Sequence, residues 1–230
     1  MIIFTNNIQY SESLLGVSEE WIPHDKKNES EAVCLLNEVI FPRASIYKTE
    51  LVNIPFWNYL FISDFSTKSQ YDILIETAEQ TEVPDKILCF SKAGNNFHGQ
   101  KNRDWVSLPG NIHLSVFISP NTIINQFQSG AMVLGAISAL QTFDSIDSIQ
   151  NKAQIKWVND IQIEGKKVCG IIAHSKTRKK CVTMITLGIG LNVEVTPDIT
   201  PVNFFQESTC LQDFSNDFKT CTLPKVFEKL

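Results

Sequence analysis

Three short segments of this 230-residue chain set polar, potentially reactive side chains against apolar strand-like runs. The first is Lys156-Trp157-Val158-Asn159-Asp160, at the end of an apolar strand. A lysine here can meet developing negative charge, while Asn159 and Asp160 order a polar ligand or a metal-bound phosphate. Taken alone it is equally an ordinary strand end with solvated charges. The second is Gly165-Lys166-Lys167-Val168-Cys169-Gly170-Ile171-Ile172. A glycine inside a strand weakens it, so Gly170 marks either a close backbone approach by a ligand or a bulge. The third runs from Ser91 to Gly110, where Gly94, Gly99, Lys101 and Arg103 precede Trp105 and then Pro109-Gly110-Asn111. Glycines let such a loop move, and Lys and Arg can meet phosphate.

Other chemistries lack their signatures. No G-x-x-x-x-G-K-[ST] loop, strand–G-x-G-x-x-G–helix or G-x-S-x-G is present. His24, His98, His113 and His174 have no metal-like spacing, and the six cysteines form no C-x-x-C pair. Without a secretory signal at the amino end, the cysteines read as reduced and mostly buried, and the expected compartment is the cytoplasm. Lys plus Arg is 20 and Asp plus Glu 25, a net charge of −5. A mildly acidic chain without a basic block is a poor ligand for nucleic acid. The apolar runs are far shorter than the ~20 residues a bilayer-spanning helix needs. A hydrophobic share of 43% in 230 residues fits one globular domain.

The elements that must position the three segments are legible from Tyr59 onward. A strand is expected at Tyr59–Ile62, then a helix over Lys68–Gln80 capped by Ser66 and Thr67. Strands follow at Lys86–Phe90 and Ile112–Ile118. Phe127, Ala131, Leu134, Ile137 and Leu140 recur at three- and four-residue spacing, which predicts a helix over Ile124–Phe143 with these residues on its core face. Ala153–Trp157 reads as a strand, Ile161–Ile163 with Val168–His174 as a hairpin, and Lys176–Lys180 as an exposed turn. Cys181–Leu187 is a strand running into Gly188–Val193, and a helix begins near Pro224. Residues 1–58 are the least readable, with short apolar pieces such as Val33–Leu36 and Val39–Phe41. The fold class is α+β (α/β), a mostly antiparallel sheet with helices on one side.

In this order the segments resemble the biotin protein ligase (holocarboxylase synthetase) family, with its W-x-S-P-x-G-N, K-W-P-N-D, G-K-K-x-x-G-I and G-x-G-x-N signatures. Here they read Trp105-Val-Ser-Leu-Pro-Gly-Asn111, Lys156-Trp-Val-Asn-Asp160, Gly165-Lys-Lys-Val-Cys-Gly-Ile171 and Gly188-Ile-Gly-Leu-Asn192. Ser66-Thr67-Lys68 echoes an S-T-N motif, and the likeness covers Tyr59 to Val193.

The resemblance implies a class II aminoacyl-tRNA-synthetase-like catalytic domain over 59–230 with its sheet flanked by helices. It makes 1–58 an N-terminal extension packed on or before that domain, with no C-terminal β-barrel domain evident. It implies the substrates ATP and biotin with Mg²⁺, formation of biotinyl-AMP, and transfer of biotin to a lysine of a biotin-acceptor domain of a biotin-dependent carboxylase. No nucleic-acid or membrane partner is implied, no metal is held by protein ligands alone, and a homodimer is left open.

By the same resemblance, Lys156 is the catalytic residue and bridges the biotin carboxylate and the α-phosphate. Ser66, Thr67, His98, Gly99, Gln100, Gly170 and Ile171 join it around biotin. Lys101, Arg103, Trp105, Asn159, Asp160, Lys167, Gly188 and Asn192 face the nucleotide. The family's loop departs most: counting back from Trp105, Phe97 replaces a glycine, and His98 and Gln100 replace two arginines. A neutral Gln cannot replace a bidentate guanidinium, so adenylate retention is expected to be weak unless Lys101 or Arg103 takes over. Two alternatives follow: a catalytically impaired member that binds a ligand or a protein, and a lipoate or octanoate protein ligase.

Overall fold

A computed structural model describes the chain apart from residues 27–28, 53, 55, 125–126 and 199–206. Its strands are β1 (Ile2–Thr5), β2 (Ile22–Pro23), β3 (Tyr47–Glu50), β4 (Tyr59–Ser63), β5 (Ile87–Ser91), β6 (Ile112–Ile118), β7 (Thr122–Ile123), β8 (Ala153–Lys156), β9 (Asp160–Ile163), β10 (Lys166–Arg178) and β11 (Cys181–Leu191). The helices are α1 (Ile8–Leu15), α2 (Glu31–Ile40), α3 (Gln70–Gln80), α4 (Gly130–Asp144) and α5 (Leu223–Lys229). All described strands join one sheet in the order β2-β3-β1-β4-β5-β6-β11-β10-β9-β8, with β7 added beside the start of β11. The β1–β4 and β4–β5 pairs are parallel, and the remaining pairs are antiparallel. The α+β expectation holds, but helices lie on both faces rather than one.

Alternation along the strands sorts the two faces. Leu60, Ile62, Leu88, Phe90, Leu114, Val116, Leu187 and Ile189 point into the larger core, to which Leu14 of α1, Ala136 and Ala139 of α4, and Val226 of α5 contribute. On the other face Phe4, Phe61, Cys89, Phe117 and Met184 pack under Val33 and Leu36 of α2 and Ile73 and Leu74 of α3. Residues 1–58 thus supply three strands of the common sheet and a helix to each face.

Three elements differ from expectation for local reasons. The third helix starts at Gln70 with Ser69 at its N-cap position, not at Lys68 after Ser66 and Thr67. Ser66 is still held to the sheet by a bridge to Gly94 and a hydrogen bond between its hydroxyl and that of Ser63 (2.9 Å), so the chain turns into the helix only afterwards. α4 starts at Gly130 rather than Ile124, after a 3-10 turn at Phe127–Ser129; residues 125–126 lie outside the described residues. Its buried face is Ala131, Gly135, Ala139 and Phe143, whereas Leu134 and Ile137 are 49% and 42% exposed. The small residues let the helix backbone sit on the sheet: a Cβ at Gly135 would stand 3.1 Å from Ile171 Cγ2. Finally, β10 runs on to Arg178, so much of the basic stretch lies in the strand, and the turn is Lys179-Lys180, both at positive φ as a tight hairpin requires.

Candidate active site

On the face that carries α2 and α3, α3 packs against β5, β6 and β11, and beside it residues 97–106 form a roof over the neighbouring part of the sheet, where Trp105 stands over Gly190 and Gly170. Between roof and sheet lies a cavity of about 360 Å³. The pairing register arranges its floor in rows. His113, Gly190, Gly170, Asp160 and Lys156 are cross-strand partners from β6 to β8 and so share one face. Two residues along the strands, about 7 Å away, the next row is Ser115, Gly188 and Ile172.

The first row carries the charges. Lys167 Nζ lies 2.7 Å from Asp160 Oδ1 and 5.7 Å from the centre of the Trp105 ring. Lys156 lines the same cavity from the end of the outermost strand. Trp105 lies flat over the glycines: a Cβ at Gly190 would overlap its indole, and one at Gly170 would come within 3.3 Å of Trp105 Cζ3 and 3.0 Å of Lys167 Nζ. Both glycines are therefore explained by close approach. The indole N–H of Trp105 donates to His113 Nδ1 (3.2 Å), while His113 Nε2 donates to the Leu108 carbonyl (3.1 Å). Burial holds this imidazole neutral, its pKa lowered to about 4 against a small opposing contribution from the Leu108 carbonyl.

The second row is neutral and polar. The Ser115 side chain is 6% exposed and borders the cavity, as does Ser69 at 6%, whose hydroxyl makes no cap bond. The Tyr71 ring stands over Gly188, and its phenol stays protonated because burial and the nearby Asp72 push its pKa up to about 12. These hydroxyls can each donate and accept toward a ligand.

The roof is a small hairpin. Gly99 N donates to the Arg103 carbonyl (2.7 Å), Trp105 N to the Phe97 carbonyl (2.8 Å), and His98 bridges Asp104. At its base, Gly94 N donates to Ser107 Oγ (2.9 Å). Asn111 ties the exit of β11 to β6: its Oδ1 accepts from Val193 N and Val195 N, and its Nδ2 donates to the Val195 carbonyl.

Of the residues expected at the site, His98, Gly99, Gln100, Arg103, Trp105, Lys156, Asn159, Asp160, Lys167, Gly170, Ile171, Gly188 and Asn192 border this one cavity. Ser66, Thr67 and Lys101 do not. The Ser66 hydroxyl is buried against Ser63, and Thr67 and Lys101 are exposed. Ile171 needs a correction of role, since its side chain packs against α4 on the opposite face and the slot wall is Ile172. Asn159 fastens the β8–β9 turn to β10 through both its backbone carbonyl and its Nδ2, which meet Ile171 N and O. Asn192 Nδ2 is bound to the Thr209 carbonyl, while its buried Oδ1 has no protein partner. Sequence reasoning missed Ser69, Tyr71, His113 and Ser115. Apolar and polar residues alternate along Ile112–Ile118 and set His113 and Ser115 on one face, which is the signal the sequence carries for them. Among the described residues no three His, Cys, Asp or Glu side chains are grouped to hold a metal ion, and no helix is long and apolar enough to cross a membrane.

The chain is similar to known proteins in sequence and in fold. Residues 63–192 match the profile of the biotin/lipoate A/B protein ligase family. The chain is 31% identical over 136 residues to the bifunctional ligase/repressor BirA of Bacillus spizizenii, covering 59% of this chain and 41% of that protein. It is 31% identical over 106 residues to a biotin–[acetyl-CoA-carboxylase] ligase of Paracoccus denitrificans, covering 44% and 41%. The chain thus spans less than half the length of these two relatives. In fold it is similar to the biotin protein ligase of Leishmania major crystallised with biotin, at a TM-score of 0.60 and 17% identity over 76% of this chain and 71% of that one. The Aquifex aeolicus biotin protein ligase crystallised with biotin and ATP gives 0.50 and 20%, over 74% and 69%. The profile takes in more than half of the chain, from the end of β4 to the residue after β11, and includes every strand of the cavity floor: the chain belongs to the biotin/lipoate A/B protein ligase family.

Proposed function

We propose that the chain is an ATP-dependent biotin protein ligase. In the first step the biotin carboxylate attacks the α-phosphate of ATP and pyrophosphate leaves. In the second, the amine of an acceptor lysine attacks the acyl carbon of biotinyl-AMP, AMP leaves and an amide remains. Adenylation replaces a poor leaving group with a good one, and the protein's share is position and charge. The observation that carries the reading is that one cavity holds both kinds of group: the Lys167 ammonium lies over Gly170 and Lys156 borders the same cavity, while Ser115, Ser69 and Tyr71 line it around the neighbouring row of the floor. A short acid with a neutral polar head suits that layout, its carboxylate at the lysines and its head among the hydroxyls. A dithiolane or a bare octanoyl chain would leave those hydroxyls unpaired, which disfavours the lipoate and octanoate alternatives.

Lys156 would stabilise charge on carboxylate and phosphate, with Lys167 and Arg103 as further cations. The free Oδ1 of Asn192 would accept from the sugar or base. Mg²⁺ fits as an ion brought by the polyphosphate and touched by Asp160 or Asp104, since Mg²⁺ commonly takes only one or two carboxylates alongside phosphates. The acceptor would be a carboxylase's biotin-acceptor domain, the kind of enzyme named for the Paracoccus relative. The test is ATP–pyrophosphate exchange that depends on added biotin, followed by mass addition of biotin on an acceptor lysine. A pure preparation showing neither reaction refutes the proposal. Biotin binding without exchange would favour the impaired-enzyme reading that Gln100 motivates.

A further inference from the structure

The roof carries an ion pair that none of the site motifs contains. His98 Nε2 lies 3.0 and 3.1 Å from the two carboxylate oxygens of Asp72, and His98 Nδ1 lies 3.2 Å from the Gly99 carbonyl. Both ring nitrogens therefore face atoms that can only accept. A neutral imidazole has one N–H and would leave one of these contacts without a proton, so the arrangement is complete only for the imidazolium. Asp72 is in the first turn of α3, whereas His98 belongs to the hairpin that roofs the cavity. The pair joins the fixed helix to the hairpin, and the Tyr71 ring packs edge-on against the imidazole (6.1 Å between centroids).

We infer that Asp72 is a positioning residue: with protonated His98 it latches the 97–105 hairpin over the cavity, so that ligand affinity falls as the solution becomes alkaline. Phe97, His98, Gly99, Gln100, Arg103 and Trp105 all border the cavity, and a wall fixed beforehand need not be ordered by the ligand. Partial burial works against the charge on His98. The Asp72 hydrogen bond, the Gly99 carbonyl and the Asp72 charge together outweigh it and raise the pKa above the ordinary value. The latch is thus closed below the usual histidine range and is lost as pH rises through the raised value. Other charges around the cavity leave this pairing in place. Asp160 and Lys167 are bound to each other, Lys68 on the approach to α3 is tied to Glu76, and Arg103 Nε donates to the Gln100 carbonyl. Asp104 is on the hairpin itself, Lys156 is on β8 across the cavity, Lys101 at the hairpin tip is exposed, and His113 and Tyr71 are neutral.

The test compares wild type, Asp72→Asn, His98→Asn and His98→Arg at pH 6 and pH 8.5. One arm follows hydrogen exchange at residues 97–105, corrected for intrinsic rates, in the ligand-free protein. Wild-type protection should drop at pH 8.5. Asp72→Asn and His98→Asn should be unprotected at both values, and His98→Arg, a permanent cation facing Asp72, protected at both. The second arm measures biotin affinity by calorimetry and rests on the ligase reading. Wild-type Kd should rise roughly threefold to fivefold between the two values, the size expected for a partly exposed ion pair that sets the binding-competent fraction, and His98→Arg should abolish the rise. If biotin fails to bind wild type, the ligase reading fails while the exchange arm still decides the latch. Equal, pH-independent protection in wild type and Asp72→Asn, or unaltered pH dependence in His98→Arg, overturns the inference.

Discussion

The neutral imidazole under the roof makes stability sensitive to acid in a way that can be worked out. His113 is 4% exposed, and its pKa is lowered from 6.5 to about 4 because burial penalises the charged ring. Between those values the unfolded chain binds a proton that the folded chain does not, so this group destabilises the fold as pH falls. A separation of about 2.5 pH units at 1.36 kcal/mol each gives a loss of about 3 kcal/mol between pH 7 and pH 4. Carboxylates and His98 titrate in the same range, so the effect must be read as a difference. His113→Gln is the reference, because an amide can accept from the Trp105 N–H and donate to the Leu108 carbonyl without titrating. Urea unfolding of both proteins, followed by far-ultraviolet circular dichroism at half-unit pH steps, gives the two profiles. Wild type should lose about 3 kcal/mol more than the variant over this range. Parallel profiles would show that His113 accepts its proton without unfolding, and the buried, neutral description of the Trp105–His113 contact would be wrong.

Three further outcomes are expected. Lys156→Ala should lower biotin-dependent ATP–pyrophosphate exchange by about 10²–10³-fold with an unchanged melting temperature, since the lysine is exposed at a strand end; exchange within tenfold of wild type would remove it from the chemistry. Gly190→Ala should displace the Trp105 indole and cost about 1–3 kcal/mol of stability, read by thermal melting, with weakened ligand binding by calorimetry; an unperturbed variant would mean the indole does not lie on that glycine. Gln100→Arg should slow release of biotinyl-AMP about tenfold or more, the worth of one added charge-assisted contact, as measured by ligand chase; an unchanged rate would show that Gln100 does not face the phosphate.

The parts legible in the sequence were those written by short-range periodicity and by motif. β6 followed from alternation, the β9–β10 hairpin from two short apolar runs on either side of the Glu164-Gly165 turn, and Lys156, Asp160, Lys167 and Gly170 from their cluster. What stayed hidden depended on partners distant in sequence. The periodicity around α4 named Leu134 and Ile137 as core together with Ala131, but the sheet beneath accepts only a close-approaching helix, so Gly135 and Ala139 join Ala131 on the inner face while Leu134 and Ile137 are exposed. Ser66 looked like a helix cap because no local pattern discloses the bridge to Gly94 that keeps it in the sheet. Asp72 gave no signal because its importance lies in His98, 26 residues away.

The line of residues from His113 to Lys156 crosses five strands, and its consequence concerns evolution as much as chemistry. Relative placement there is inherited from the main-chain ladder, which any side chain compatible with the pleat maintains. Substitutions such as valine at 158 can accumulate between the rungs without moving the ammonium from its neighbours. A frame of this kind tolerates extensive divergence of sequence, yet a one-residue slip in any of its strands would turn that strand's contribution to the opposite face and dismantle the whole constellation at once.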